Sequence, residues 1–170
     1  MRKHLSPISK ALLAGAALSM IGLSASAEAL ASEFSFHVVE TNDKGEEVLV
    51  ARESVRPGEV ISYELRHQNM TEDAMAGLVI AVPVPEGASL TLGAEATSVE
   101  AIFEVQAELD PEQEGMEWST MPAIRKVVDA DGNMHEEPLP QDAVAAVRWT
   151  LSEPLEAGEI ALNSYRVRVN

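Results

Sequence analysis

The chain has 170 residues, with 12 lysine and arginine, 28 aspartate and glutamate and no cysteine, so its formal net charge at pH 7 is −16. A negative field of this size repels phosphate backbones and anionic lipid surfaces, which excludes nucleic acid as a partner. The absence of cysteine excludes disulfides, thiol catalysis and thiolate metal sites. The length suits one domain with a single core.

The N-terminal segment has the three parts of a secretory signal sequence. Residues 2–10 carry three basic side chains, residues 11–23 are apolar but too few to span a bilayer as a helix, and residues 25–27 form a small-residue cleavage site. A second such site lies at residues 29–31. We predict cleavage after Ala27, no stable membrane insertion of the mature chain, and a periplasmic or extracellular location. Cleavage leaves 9 basic against 28 acidic side chains, a net charge of −19.

After a short tail at residues 28–33, apolar and polar residues alternate with the period of half-buried strands in the domain predicted at residues 34–170. A hairpin comes first, because the Asn42-Asp43-Lys44-Gly45 turn separates two apolar segments. Proline and glycine clusters bound the later strands. The predicted first-half strands are residues 34–39, 48–51, 61–66, 78–84 and 97–105, with 89–92 as a short extension.

In the second half, the acidic residues 108–115 predict an exposed loop, and we expect Trp118, Met121 and Ile124 to return to the core. Asp131-Gly132 predicts another hairpin turn. The clearest strand is residues 147–151, where Val147, Trp149 and Leu151 alternate with polar residues.

The last strand, residues 160–169, changes parity. Ile160 and Leu162 share one face, whereas Tyr165, Val167 and Val169 share the other. A β-bulge near Asn163-Ser164 would keep both sets in the core, so we predict one there.

Eight or nine short strands with no amphipathic helix predict an all-β, antiparallel β-sandwich. We expect its stability to depend on an aromatic core, and we assign Tyr63, Phe103, Trp149 and Tyr165 to that core together with the aliphatic residues of the strands around them.

The order of several motifs resembles the bacterial secreted "conserved repeat domain" family, the domain of unknown function numbered eleven, in its small single-copy members. The motifs are Arg56-Pro57-Gly58-Glu59, Val82-Pro83-Val84-Pro85-Glu86-Gly87, Val147-Arg148-Trp149-Thr150-Leu151 and Tyr165-Arg166-Val167-Arg168-Val169. The resemblance implies an immunoglobulin-like sandwich in the periplasm or outside the cell, with a structural or adhesion-type role. It implies no catalytic residue. Residues 104–121 depart from the family pattern.

Calcium is the main metal candidate. Asp129, Asp131, Asn133 and Glu136 offer hard oxygen ligands around one turn, which is the ligand type that calcium needs. The EF-hand pattern fails because Gly132 is fourth, not sixth, from Asp129. The alternative is an exposed hairpin turn.

Copper is the second metal candidate, through methionine and histidine. The available sets are His67 with Met70, Met116 with Met121, and Met134 with His135. The alternative is that the methionines fill gaps in the core.

No nucleophile motif accompanies His37, His67 or His135, so an enzyme, such as a hydrolase with an unrecognised site, ranks third. The favoured function is an exported, non-enzymatic interaction or structural module. Its partner, a protein or another envelope component, would bind at an unpaired strand edge, at a loop tip or on a basic ridge of Arg148, Arg166 and Arg168.

Overall fold

The computed structural model describes residues 29–170, so the predicted signal sequence, residues 1–27, lies outside the described part. The described chain is built from antiparallel strands, and its one helix is a single 3₁₀ turn, Gln141–Ala143. The strands are β1 (Leu30–Thr41), β2 (Glu47–Val50), β3 (Val60–Asn69), β4 (Val79–Pro83), β5 (Ala88–Thr97), β6 (Ala101–Ala107), β7 (Glu117–Thr120), β8 (Ile124–Val128), β9 (Met134–Pro138), β10 (Ala146–Leu151) and β11 (Ile160–Val169). Within residues 29–170, no helix is long and apolar enough to cross a bilayer.

The strands form three antiparallel sheets. Five strands pair in the order β2-β1-β3-β11-β5, four in the order β4-β10-β6-β7, and β8 pairs with β9 as a separate hairpin. The prediction of an all-β, antiparallel fold is confirmed. Two details are wrong. There are eleven strands rather than eight or nine, and the predicted tail enters the sheet, because Leu30 to Glu33 pair with Arg66 to Asn69.

The five-stranded and four-stranded sheets share one apolar core. Trp149 of β10 and Tyr165 of β11 are each 1% exposed, and their ring centroids are 6.3 Å apart across the core. Tyr63 stacks on Tyr165 at 5.1 Å, and Phe103 packs on Trp149 at 5.3 Å. The predicted aromatic core is therefore confirmed, with Tyr63 and Phe103 as its partly buried members.

The last strand has an irregular register near the predicted position, between Ser164 and Arg166 in its pairing with β5, but the expectation that this keeps both apolar sets in the core is wrong. β11 keeps one register with β3 from Ile160 to Arg168, so Ile160 and Leu162 face outward, while Ala161 and Asn163 are buried. The extra residues belong to β5, where they lie between Thr91 and Ala96 opposite the step from Ser164 to Arg166 of β11. Continuous pairing with a central strand overrides the burial of two apolar side chains.

Two expectations for the second half are also corrected. Trp118 lies on the outer surface, where its ring packs under the guanidinium group of Arg148 at 4.4 Å. Ile124 is exposed, and Ala123 takes the buried position beside it, so of the three expected core residues only Met121 packs against the core.

The predicted basic ridge is absent because its arginines lie on different sheets. β10, with Arg148, belongs to the four-stranded sheet, and β11, with Arg166, belongs to the five-stranded sheet. Arg148 pairs with Glu104 at 2.7 Å and Arg166 with Glu47 at 2.9 Å. These two positive charges are therefore neutralised locally, while Arg168, also on β11, donates to the carbonyl oxygen of Gly58 at 3.0 Å.

Candidate binding edge

Strand β1 has an open edge over most of its length. β3 pairs with residues 30–39 on one side, but β2 pairs only with residues 38–41 on the other. Within residues 29–170, no strand covers the second side of residues 30–37. We call this segment the open edge. Alternate residues of an edge strand direct their backbone N–H and C=O groups to the free side, so the open edge presents unpaired donors and acceptors.

The open edge exists because β2 ends early. Beyond Val50, Arg52 binds two carboxylates, Glu59 at 2.8 Å and Glu40 at 3.4 Å. The hydrogen bond with Glu59 raises the pKa of Arg52, and the same hydrogen bond lowers the pKa of Glu59. These ion pairs hold Arg52 between β1 and the start of β3, and the chain beyond Val50 does not pair with β1 as a strand.

Two phenylalanines project from the open edge. Phe34 is 57% exposed and Phe36 is 40% exposed, on the same face of the sheet as the core. Their ring centroids lie 5.2 Å and 6.1 Å from that of Tyr63. Because these rings remain accessible, the four-stranded sheet leaves this part of the five-stranded sheet uncovered. The result is a strand edge bordered by aromatic surface.

A shallow cleft lies beside Phe36. It has a volume of about 480 Å³ and is lined by Phe36, Ala51, Arg52 and Glu53. Arg52 is neutralised by its two carboxylates, whereas Glu53 is exposed and forms no ion pair with the described residues. The cleft therefore combines an aromatic wall with a free negative charge.

The other sheet edges are short or interrupted. β2 and β7 have four residues each, β4 ends in Pro83, which has no backbone donor, and β5 has the irregular register. Such features prevent strand addition from outside. The open edge of β1 lacks them, since residues 30–37 contain no proline and keep one register with β3.

Three of the four predicted calcium ligands, Asp129, Asp131 and Asn133, lie in a hairpin turn. The Asp129 carboxylate accepts the backbone N–H groups of Asn133 at 2.8 Å and Asp131 at 2.9 Å, and these bonds lower its pKa. Glu136 lies farther along β9, opposite Lys126. In the described range, 29–170, no three His, Asp or Glu side chains are grouped to hold a metal ion. The three predicted carboxylates are thus not brought together.

The two members of each predicted copper-binding set also lie in different environments. Met70 and Met116 are exposed, while Met121 packs on the core. Met134 and His135 are adjacent in β9, so they point to opposite faces of the hairpin. His67 lies in β3, where burial lowers its pKa, and its Nδ1 atom has no hydrogen-bond partner within residues 29–170.

A second cavity lies between the hairpin β8–β9 and the acidic loop of residues 108–115. It has a volume of about 490 Å³, and its lining includes Met116, Val127 and Val128. Most of this loop is exposed as predicted, but Asp110 is buried and binds Lys126 at 2.8 Å, which lowers the pKa of Asp110. The charged groups that border this cavity are thus largely paired within the chain.

Comparison of the chain with protein-family models, with curated proteins and with solved structures gave no match. The candidate site is therefore defined by geometry alone. The sequence contains one indication of the open edge. The alternating segment that begins at residue 34 is longer than the apolar segment at residues 48–51 that pairs with it, so part of the longer segment has no partner on that side. The full length of the open edge was not predicted, because β1 begins at residue 30 and the alternating pattern begins only at residue 34.

Proposed function

We propose that this chain is an exported, non-enzymatic interaction module of the bacterial cell envelope or surface. It folds as an immunoglobulin-like sandwich of the kind that the family resemblance implies. Its partner binds by adding an extended segment to the open edge of β1. The observation that carries the proposal is the uncovered second side of residues 30–37, beside the exposed rings of Phe34 and Phe36.

Strand addition supplies both affinity and selectivity. Backbone hydrogen bonds give the affinity, and alternate side chains of the added segment select the partner. On one face those side chains would contact Phe34, Phe36 and the cleft beside them. Full burial of an exposed phenylalanine side chain contributes roughly 1.5–3 kcal/mol. Because Phe34 and Phe36 are about half exposed, each contributes about half of that value on binding, and the backbone hydrogen bonds of the added strand supply the rest.

The state of the histidines supports a non-enzymatic role. Nucleophilic catalysis requires a base that is hydrogen-bonded to a nucleophile and held by a third group. His67 is the histidine nearest the core, and its Nδ1 atom has no partner among the described residues. His37 and His135 lie on different sheets, on β1 and β9.

Site-specific photo-crosslinking tests the proposal. A photoreactive phenylalanine analogue replaces Phe36, and in the control protein it replaces Leu49, which is 55% exposed on β2 of the same sheet but on the opposite face. We expect a discrete adduct in bacterial envelopes from position 36 only, and loss of that adduct when Phe34 is also changed to Ala. Equal adducts from both positions, or none from position 36, would contradict the proposed edge.

A further inference from the structure

We infer that the segment received by the open edge is an extended peptide in which apolar residues alternate with lysine or arginine. This inference rests on the proposed function and names the chemistry of the partner. It follows from what lies on each side of β1 and from the charge of the whole domain.

The two faces of β1 have different chemistry at the open edge. Phe34 and Phe36 lie on the core-side face, and Glu33 lies on the outer face, between them and the start of the strand. Neighbouring residues of an added strand also point to opposite faces. Every second side chain of the added strand therefore contacts the aromatic rings, and the side chains between them lie on the face of the Glu33 carboxylate.

Glu33 is only loosely paired with Arg66, so it can accept a second cationic group. Its side chain is 72% exposed, and its nearest basic group, on Arg66, is 3.7 Å away, which is longer than a hydrogen bond. Glu53 adds a free carboxylate in the cleft beside Phe36. A cationic side chain is favoured at either place, and the phenylalanine rings themselves attract cations through their faces.

Apart from the long contact of Arg66 with Glu33, the domain has few basic groups left to supply that positive charge. Of the nine lysines and arginines in residues 29–170, six are in ion pairs with carboxylates. Acidic residues remain in large excess, so the field around the open edge attracts cationic segments and repels anionic ones. The same field opposes pairing of two copies through β1, because two strongly acidic domains and their two Glu33 carboxylates would be brought together.

The test uses three synthetic peptides as long as the open edge. One alternates valine and lysine, one alternates valine and glutamate, and one alternates serine and lysine. Binding to the mature protein is measured by fluorescence anisotropy at low and at physiological salt. Amide hydrogen exchange reports whether residues 30–37 become protected.

We expect the valine–lysine peptide to bind most tightly, with protection of residues 30–37. Phe34→Ala with Phe36→Ala should weaken it about tenfold or more, and Glu33→Gln should weaken it a few-fold and reduce its salt dependence. Leu49→Ala, the matched control on the opposite face, should leave binding unchanged.

The other outcomes separate the two proposals. If the valine–glutamate peptide binds as well as the valine–lysine peptide and protects residues 30–37, the inference about charge is wrong but strand addition stands. If the serine–lysine peptide binds equally, the attraction is unspecific and the inference is wrong. If no peptide protects residues 30–37, both proposals fail. Self-association of the protein, measured by sedimentation and abolished by Phe34→Ala with Phe36→Ala, would identify a second copy as the occupant and overturn the inference.

Discussion

The core-side face of the five-stranded sheet has a covered region and an uncovered region. The aromatic rings of Phe34, Tyr63, Tyr165 and Trp149 follow one another in contact, from the open edge to the middle of the core. At one end of this series Phe34 is 57% exposed, and at the other Trp149 is 1% exposed. Aromatic residues that share the core side of the domain thus differ in how far they are covered. The opposite sheet decides which rings hold the fold together and which remain available to a partner.

The largest expected difference between the two regions is in stability. Trp149→Ala should lower the free energy of unfolding by about 3–5 kcal/mol, because it leaves a large cavity in a packed core. Phe34→Ala should lower it by less than about 1 kcal/mol, because most of that ring is already in water. Urea denaturation of the mature protein measures both.

Similar losses for the two variants would remove the distinction. In that case Phe34 would be a structural residue, and its effect on peptide binding could not be assigned to contact with a partner.

Asn69 is the second strongest test of the covered region. Its side chain is fully buried, donates to the carbonyl oxygens of Asp73 at 2.8 Å and Leu155 at 2.9 Å, and accepts from the backbone N–H and the hydroxyl of Thr71. Asn69→Ala removes these four hydrogen bonds and leaves the part-buried Thr71 N–H without an acceptor. The carbonyl oxygens of Asp73 and Leu155 keep the Thr71 hydroxyl and the Met75 N–H as donors, so we expect a loss of about 1–3 kcal/mol by urea denaturation. Met70→Ala, one residue further and exposed, is the control and should change stability by less than about 0.5 kcal/mol. A mild effect of Asn69→Ala would mean that water replaces the amide.

The buried tyrosine predicts a loss of stability in alkali. Burial, with a smaller contribution from Tyr63, raises the pKa of Tyr165 far above its usual value of about 10. Above pH about 10 the tyrosine loses its proton in the unfolded state but keeps it in the folded state. The contribution of Tyr165 to the free energy of unfolding is therefore complete below pH about 10 and is lost as the pH rises further. Tyr165→Phe should flatten the decline in unfolding free energy between pH about 9 and 11.5. Parallel curves for the wild-type and variant proteins would place the Tyr165 hydroxyl in water.

The smallest expected effect concerns calcium. Because the Asp129 carboxylate is occupied by backbone donors of its own turn, excess calcium should leave the melting temperature of the mature protein unchanged from that in chelator. A folded-state ligand at about a hundred times its dissociation constant would add about 2.7 kcal/mol, a shift of several degrees. Such a shift, abolished by Asp129→Asn with Asp131→Asn, would restore calcium as a candidate.

Strands whose two faces differ clearly were predictable from the sequence. Alternation placed Ile61 and Leu65 of β3 and Val147 and Trp149 of β10 correctly in the core. The Asp-Gly turn correctly joined β8 to β9, because Gly132 has the positive φ, 84°, that this turn requires. Local patterns were sufficient wherever local chemistry agreed with the fold.

Predictions failed where distant partners decided the outcome. Hydrophobicity assigned Ile160 and Leu162 to the core, but the register with β3 turns them outward and buries Asn163. The burial of Asp110 depends on Lys126, sixteen residues away, so composition alone gave an exposed loop. The open edge depends on where β2 stops, and just beyond that point Arg52 contacts Glu40 and Glu59, which lie elsewhere in the sequence.

The position of β11 determines the order in which the domain can be completed during synthesis. This strand follows the ten others in the chain, yet it lies between β3 and β5, with Arg168 opposite Val60. The ribosome makes β3 and β5 long before their shared neighbour, so both strands wait with unpaired edges and an incomplete core. A chain in which residues 160–169 are not yet available therefore cannot close the five-stranded sheet, so the sheet is completed by a long-range pairing rather than strand by strand.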